Sequence, residues 1–262
     1  MAVASSSAFS AQDFFDRLAE DYHLIYEDWS LSVSRQGQAL DALARSYLAS
    51  TEPLDVLDCS CGIGTQAIGL AERGHRVVGS DLSPVAAARA AGEAQRRGLA
   101  LTTSAADMRS LPYADASFDV VLSANNSLAH LLTEDDLRQA LRGMRRVVRD
   151  GGLLVLTARD YGDARQTRRN ATMPQVTDTD AGQAVTFQLW HWREDATYDF
   201  DHIQLLPDDG TWQVRVRRAT SRAWSLEELA MLVHECGFSD VTWHSVEEAH
   251  FFQPVLTARP AA

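Results

Sequence analysis

The chain carries no excess of positive charge. Its 36 acidic residues outnumber its 24 basic ones, leaving a net charge of −12. A surface of that sign repels phosphate backbones and anionic lipids, so neither nucleic acid nor a membrane is expected as a partner. The one local basic cluster, Arg165, Arg168 and Arg169, reads as a solvated loop. No apolar run approaches the ~20 residues that span a bilayer. The opening MAVASSSAFSAQDFFDRL lacks the basic and long apolar regions of a secretory signal. Its first few residues read as disordered. Cysteine is scarce: Cys59, Cys61 and Cys236. An odd count without an export signal points to the reducing cytoplasm. Cys59-x-Cys61 has neither a second pair nor histidines at zinc spacing, so no metal is expected and tight packing is the reading.

What is present is enough for one large α/β domain, or a core domain with an insertion: 262 residues, 45% of them hydrophobic. Residues 11–50 read as helical, with Phe14, Phe15, Leu18, Tyr22, Leu24 and Ile25 forming a stripe and a second helix over 34–48. From residue 54 strands and helices alternate. Strands are expected at 54–59, 76–81, 101–105, 119–123 and 152–158, and helices at 65–73, 83–97 and 133–148. Ser83 before Pro84, and Thr133 before Asp135 and Asp136, are helix-start signals. Such alternation means βαβ units and a mostly parallel sheet. After Tyr161 the pattern changes. A polar stretch at 163–183 has no period. Strand-like runs at 184–193, 198–206 and 211–220 with short turns then read as an antiparallel meander. A helix at 226–236 and strands at 241–245 and 251–258 close the chain.

The first strand runs into "VLDCSCGIGTQAIGLA". Gly62 and Gly64 stand in the turn before a helix, where glycine permits positive φ and close approach of a ligand, and free helix-start amides favour negative charge. Alone, this suits any nucleoside-bearing cofactor. Asp81 ends the next strand, where a carboxylate can accept from both ribose hydroxyls. Asp107-Met108 follows the third strand; the acid suits an exocyclic amine and the thioether a ring face. Asp107 as a turn cap is the alternative. With Asp58 at the end of the first strand, these residues share one sheet edge, where ligands bind.

"VLDCSCGIGT", "VVGSDLS", "AADMRSLPYADASFDVVL" and "VVRDGGLLVL" resemble, in order, the motifs of class I S-adenosylmethionine-dependent methyltransferases. The resemblance covers roughly residues 54–160, and the end of the chain through "GF…FFQPVLTAR". Ser60 stands where the family's loop often has glycine. The resemblance implies a Rossmann-like sheet of about seven strands with the last antiparallel, and S-adenosylmethionine as cofactor, bound by Asp58, Gly62, Gly64, Asp81 with its neighbour Leu82, Asp107 and Met108.

Within "SANNSLAHL" (Ser123 to Leu131), "NNSLAHL" is similar to a stretch of glycine N-methyltransferases. The similarity implies that Asn126 helps hold an amino-acid carboxylate and that Asn125, replacing a glycine, lies beside the cofactor. His130 is either a site residue or a satisfied core histidine. "TARDYGD" resembles the segment whose arginine grips the substrate carboxylate, here Arg159; an ion pair with Asp160 or Asp163 is the alternative. "YHLIYEDWSLSVSRQG" resembles the family's N-terminal cover, implying that Tyr22, Tyr26 and Trp29 close over the cofactor and Arg35 takes the methionyl carboxylate. The alternative is that Tyr22 and Trp29 pack the N-terminal helices. Alternation places Trp190 and Trp192 on one strand face and His191 on the other, lining a pocket or an oligomer interface.

The expected organisation is an N-terminal helical lid at 1–53, a core at 54–162 and 223–262, and an antiparallel cap or oligomerisation insertion at 163–222. The expected activity is methyl transfer to a small-molecule amine, amino-acid-like, with S-adenosylhomocysteine as product. Asn126, His130 and Tyr26 are the candidate catalytic residues, and Arg159, Asn126 and Trp190 the candidate substrate contacts. A hydroxyl acceptor would need a base such as His130 or His250. The alternatives are an O- or C-methyltransferase of specialised metabolism and, in a different class, a non-catalytic cofactor binder or a nicotinamide oxidoreductase.

Overall fold

The structure is a computed structural model that describes residues 8–261; the expectation for the first few residues lies largely outside that range. The chain opens with α1 (Ala11–Leu18), a 3-10 turn (Tyr22–Ile25) and α2 (Trp29–Leu48). Asp28 starts α2 five residues earlier than the expected 34, its side chain accepting from Leu31 N–H (2.9 Å).

The alternating region follows: β1 (Asp55–Asp58), α3 (Thr65–Ala71), β2 (Arg76–Asp81), α4 (Pro84–Arg96), β3 (Leu101–Ala105), β4 (Phe118–Ser123), α5 (Glu134–Val147) and β5 (Val148–Thr157). Ser83 and Thr133 cap α4 and α5 through bonds from Ala86 and Asp136 amides. The last part comprises α6 (Gly162–Thr167), β6 (Gln175–Thr179), β7 (Gly182–Trp192), β8 (Thr197–Asp208), β9 (Thr211–Arg222), α7 (Leu226–Glu235), β10 (Phe238–His244), α8 (Val246–Ala249) and β11 (Val255–Pro260). Ser225 and Glu228 form a reciprocal capping box on α7.

The larger sheet runs β10-β11-β5-β4-β1-β2-β3, parallel except for β11, which lies antiparallel to both β5 and β10. Its near-continuous apolar strands are buried on both faces. One face packs Leu137, Leu141 and Met144 of α5 against Leu57, Val121 and Leu154. The other packs Leu40 and Ala44 of α2 and Ala67 and Leu70 of α3 against Val56, Val120 and Val155.

The second sheet, β6-β7-β8-β9, is antiparallel throughout. Its inner face holds α1, with the Phe14 ring 5.2 Å from that of Phe200. The stretch 163–183, aperiodic in sequence, contains α6 and β6. That edge strand takes its order from pairing with β7 rather than from its own apolar pattern. The basic cluster is absorbed by the protein: Arg165 pairs with Glu228, Arg169 with Asp163, and Arg168 lies over the Trp192 ring. All three cysteines are free and buried. No helix among the described residues is long and apolar enough to cross a membrane.

Candidate active site

The strand order reverses between β1 and β4, and the carboxyl ends of these strands open a crevice, the usual ligand position in such sheets. Gly62 (φ +52°) and Gly64 (φ +95°) both adopt left-handed conformations in the turn after β1. A Cβ on Gly64 would meet Ile68 at 2.8 Å, and one on Gly62 would meet the Tyr22 ring at 3.2 Å. The turn therefore needs glycine at both positions. Ser60, the departure from the family pattern, places its Oγ 3.0 Å from Ser123 Oγ and ties the turn to β4.

Asp81 does two jobs. Its Oδ2 accepts from Gly62 N–H (2.8 Å) and its Oδ1 from Ser83 N–H (2.9 Å), so it clamps the glycine turn to the start of α4. It also lines a cavity of about 600 Å³ together with Gly62, Leu82, Asp107, Met108 and Tyr22. Asp58 lies fully buried beside the turn. One oxygen accepts from Ser60 N–H (3.2 Å), the other has no partner, and burial pushes its carboxyl up to about 7. A buried acceptor without a donor beside a glycine turn fits a ligand that brings one. Asp107 caps a 3-10 turn through Arg109 N–H (2.9 Å) and is gripped by the Arg109 side chain (2.6 Å), which also reaches Asp136 (2.7 Å). The turn-cap alternative is thus present, in a residue that still lines the cavity.

The two asparagines after β4 occupy consecutive left-handed conformations, φ +61° and +64°. Apart from glycine, Asn adopts this region most readily, so the pair reverses the chain sharply at the strand end. Asn125 Nδ2 donates to Tyr26 Oη (2.9 Å), while its backbone N–H donates to Thr157 Oγ1 (2.8 Å). Asn126 bridges to the next strand: Oδ1 accepts from Arg159 N–H (3.0 Å) and Nδ2 donates to Tyr161 Oη (2.7 Å). Its amide is engaged in placing Arg159.

Beyond Asn125 lies a larger cavity of about 750 Å³, lined among others by Tyr26, Arg35, Arg159, Gln188, His202 and Gln253. A small intervening space shares Tyr22, Asn125 and His130 with its neighbours and links the two. The Arg159 guanidinium sits 5.0 Å from the Trp190 ring centroid and 5.8 Å from that of Tyr161. No carboxylate among the described residues pairs with it; Asp163 is taken by Arg169, and Asp160 accepts from Gly162 N–H. Trp190 is thus buried under Arg159 and does not line the larger cavity.

Arg35 is also unpaired among the described residues and lines the same cavity as Arg159, not the one holding Asp81 and Met108. Trp29 lines none of the three spaces. Its Nε1–H donates to Thr65 Oγ1 (2.8 Å) and its ring lies between Arg89 and Arg97, so the packing alternative describes it. Tyr22 packs over Gly62 at the cavity wall.

The titratable groups at the junction are held neutral. Burial lowers His130 to about 4, and its Nδ1 is shielded and without a partner. Burial and the Arg217 guanidinium lower His202 to about 4, and neither ring nitrogen has a partner. Tyr26 is pushed up to about 12 by burial. His250 lines the larger cavity after α8. His202, Gln188, Gln253 and Thr157 were not singled out in the sequence. Period-2 alternation places His202 with Phe200 and Gln204 on one face, but only the fold shows that this face lines the cavity.

Residues 56–152 match the family described as "Methyltransferase domain". Glycine/sarcosine N-methyltransferase of Parasynechococcus marenigrum is 36% identical over 135 residues, 51% of this chain and 46% of the relative. Demethylmenaquinone methyltransferase of Deinococcus radiodurans is 37% identical over 152 residues, 56% and 59% of the two chains. The chain thus spans about half the length of these curated relatives. Among solved structures, the CcbJ methyltransferase of Streptomyces caelestis superposes with a TM-score of 0.77 at 21% identity, covering 97% of this chain and 100% of that one. CalS10 of Micromonospora echinaspora, an amino pentose methyltransferase solved with S-adenosylmethionine bound, has a TM-score of 0.71 at 18% identity, covering 99% and 100%. At such identities the likeness is one of fold. With the sheet order and the glycine turn, the segment at 56–152 is similar to a methyltransferase domain, and the chain as a whole shares the fold of these solved methyltransferases.

Proposed function

We propose that the chain methylates the nitrogen of a small amine that also bears a carboxylate. The observation that carries this reading is Arg159. It is a guanidinium without a carboxylate partner, stacked on Trp190 and Tyr161, its backbone fixed by Asn126, facing a cavity joined to the one that Asp81 lines. A planar fork held this way suits bidentate grip of a carboxylate.

When bound, S-adenosylmethionine supplies an electrophilic methyl group on a positively charged sulfur. Gly62, Asp81, Leu82, Asp107 and Met108 are the residues that would hold its nucleoside, with Asp58 behind the turn. The remaining task of the protein is alignment and exclusion of water. Tyr22, Tyr26 and Asn125 wall the junction without adding a formal charge. A neutral amine needs no strong base; His130 and His202 at the junction are weak bases at about 4, and His250 is the remaining histidine in the wall of the larger cavity. A hydroxyl acceptor would need such a base, and His250 is then the candidate.

An amino sugar is the second reading. CalS10 acts on an amino pentose, and the amides of Gln175, Gln188 and Gln253 in the cavity wall suit sugar hydroxyls. The deciding experiment is turnover with S-adenosylmethionine over a panel of amino acids, their decarboxylated amines and amino sugars, read by mass spectrometry. Preference for the carboxylated amines is expected, with acceptor KM raised on the order of 30-fold or more in Arg159→Ala, the equivalent of losing about 2 kcal/mol. Equal turnover of decarboxylated amines would discard the carboxylate, and binding of S-adenosylhomocysteine without turnover of any member would leave a non-catalytic binder.

A further inference from the structure

The four-stranded sheet has two faces, and the described chain covers one of them. Alternation along β8 sends His202 and Gln204 inward, where both are buried, and Ile203, Leu205 and Pro207 outward. The register sets Val216, Val214 and Trp212 of β9 directly beside those three. Val185 of β7 pairs with Leu205, and Val176 of β6 with Val185. Trp212, Val214 and Val216 are 54%, 57% and 54% exposed, and Val176 43%. Outward positions of a half-covered antiparallel sheet are ordinarily polar. Eight adjoining apolar side chains on one such face mark an interaction surface.

We propose that this face is a two-fold interface with a second copy of the chain. Charge is the first argument. The molecule carries −12, so copies repel over most approaches, yet none of the eight residues is charged. The charged side chains that border the patch on the same face lie at its margins: Asp178 of β6, two residues from Val176, which accepts from Gln183 Nε2 (3.2 Å), and at the other end Asp201, which pairs with His191 and Arg218 at 3.2 Å and 2.5 Å. They form a polar rim that need not be desolvated. Area is the second. Strands about 4.8 Å apart with same-face residues about 6.8 Å apart give eight positions roughly 260 Å² in projection, and side-chain relief brings this to on the order of 500 Å² of accessible surface per copy. Two copies bury on the order of 1,000 Å² before the rim is counted, where specific assembly begins. An apolar sheet face stacks on its own copy about 10 Å away, and an isologous contact needs only one surface. The inner face of the same sheet carries His202 and Gln188 of the larger cavity, so the contact braces that wall from behind.

Sedimentation velocity on the full chain over a concentration series tests this, with Val214→Glu, Val216→Glu and Trp212→Arg beside the wild type. The wild type is expected to sediment as a dimer of the 28.9 kDa chain at micromolar concentration. Each variant is expected to weaken association at least 100-fold while its circular dichroism and its affinity for S-adenosylhomocysteine stay those of the wild type. Because all three side chains are already exposed, folding is retained, and the unchanged affinity verifies it. A wild type that stays monomeric up to about 100 μM, leaving the face to some other partner, overturns the proposal. So does a dimer that survives all three substitutions, which would place the contact elsewhere.

Discussion

Asp81 binds two backbone amides in addition to lining the cavity beside the glycine turn, so removing it has two consequences that can be separated. Asp81→Ala should weaken S-adenosylhomocysteine binding by tenfold or more, since a hydrogen bond to a charged group contributes about 1.5–3 kcal/mol. It should also lower the melting temperature of the free protein, because Gly62 and Ser83 amides lose their acceptor. Calorimetry and thermal unfolding read the two effects independently; an unchanged affinity would remove Asp81 from the site. Asp58 makes a different prediction. Burial raises it to about 7, so it is largely protonated below that pH and ionised above it. A bound cation such as the methionyl ammonium favours the ionised form. Affinity for S-adenosylhomocysteine should therefore fall as pH drops from about 8 to about 6, and Asp58→Asn should flatten the dependence. A wild-type profile as flat as the variant's would mean that Asp58 is only a structural part of the turn.

At the scale of elements, α2 and the segment before it behave differently. Helix α2 crosses α3 with Gly37 against Gly69. A Cβ on Gly37 would lie 2.4 Å from the Gly69 carbonyl, and one on Gly69 2.4 Å from the Val33 oxygen. These are backbone contacts, which no rotamer change relieves. Gly69→Ala should cost about 2 kcal/mol or more by urea unfolding, beyond the gain in helix propensity that the same change brings elsewhere. An unchanged stability would show that the helices can slide apart at no cost. The same crossing bears on the N-terminal lid expected over residues 1–53: α2 is bolted to the core, whereas α1 and the 3-10 turn bring Phe15 and Tyr22 to the cavity edge. Hydrogen exchange with and without S-adenosylhomocysteine should show new protection at residues 11–25 and little change at 29–48. Protection spread evenly over both segments would restore the single lid.

Over the whole molecule, buried groups of opposite kind act against each other on stability. His202 is neutral in the fold and lowered to about 4. Between that value and its unfolded pKa of about 6.5 the unfolded chain binds the extra proton, so this group adds stability as pH rises through the window. Asp58 is raised to about 7. Between about 4 and 7 the folded chain holds the extra proton, so this group removes stability as pH rises. The two oppose each other from about pH 4 to 6.5. Melting temperature against pH should therefore climb more steeply in Asp58→Asn than in the wild type, and less steeply in His202→Phe. Parallel curves for all three would show that neither shift exists. The slope, unlike the absolute stability, is insensitive to the packing cost of each substitution.

Local signals settled much of the molecule in advance. Apolar runs at a spacing that alternates with capped helices determined the parallel sheet, because each βα unit carries its own period and stop signals. That Gly62, Gly64, Asp58, Asp81 and Asp107 gather at one sheet edge was legible for the same reason: they stand at or just after strand ends, and a strand end is a local feature. The antiparallel direction of the last strand and the likeness to a methyltransferase domain were readable from consecutive motifs. What the sequence left open depends on residues far apart in the chain. Trp29 looked like a cofactor contact until the arrangement of Arg89, Arg97 and Thr65 around it drew it behind the turn. Asn126 looked like a substrate contact, and its amide is engaged by Arg159 and Tyr161. Edge strand β6 has no pattern of its own and forms because β7 offers it partners. His202 is an ordinary strand residue until the meander folds back on the core, and then it becomes a cavity wall. Period and capping act within about one turn or strand, so sequence determines them. Which face meets a cavity, a helix or a second copy is decided by contacts between elements, and only the tertiary structure makes those.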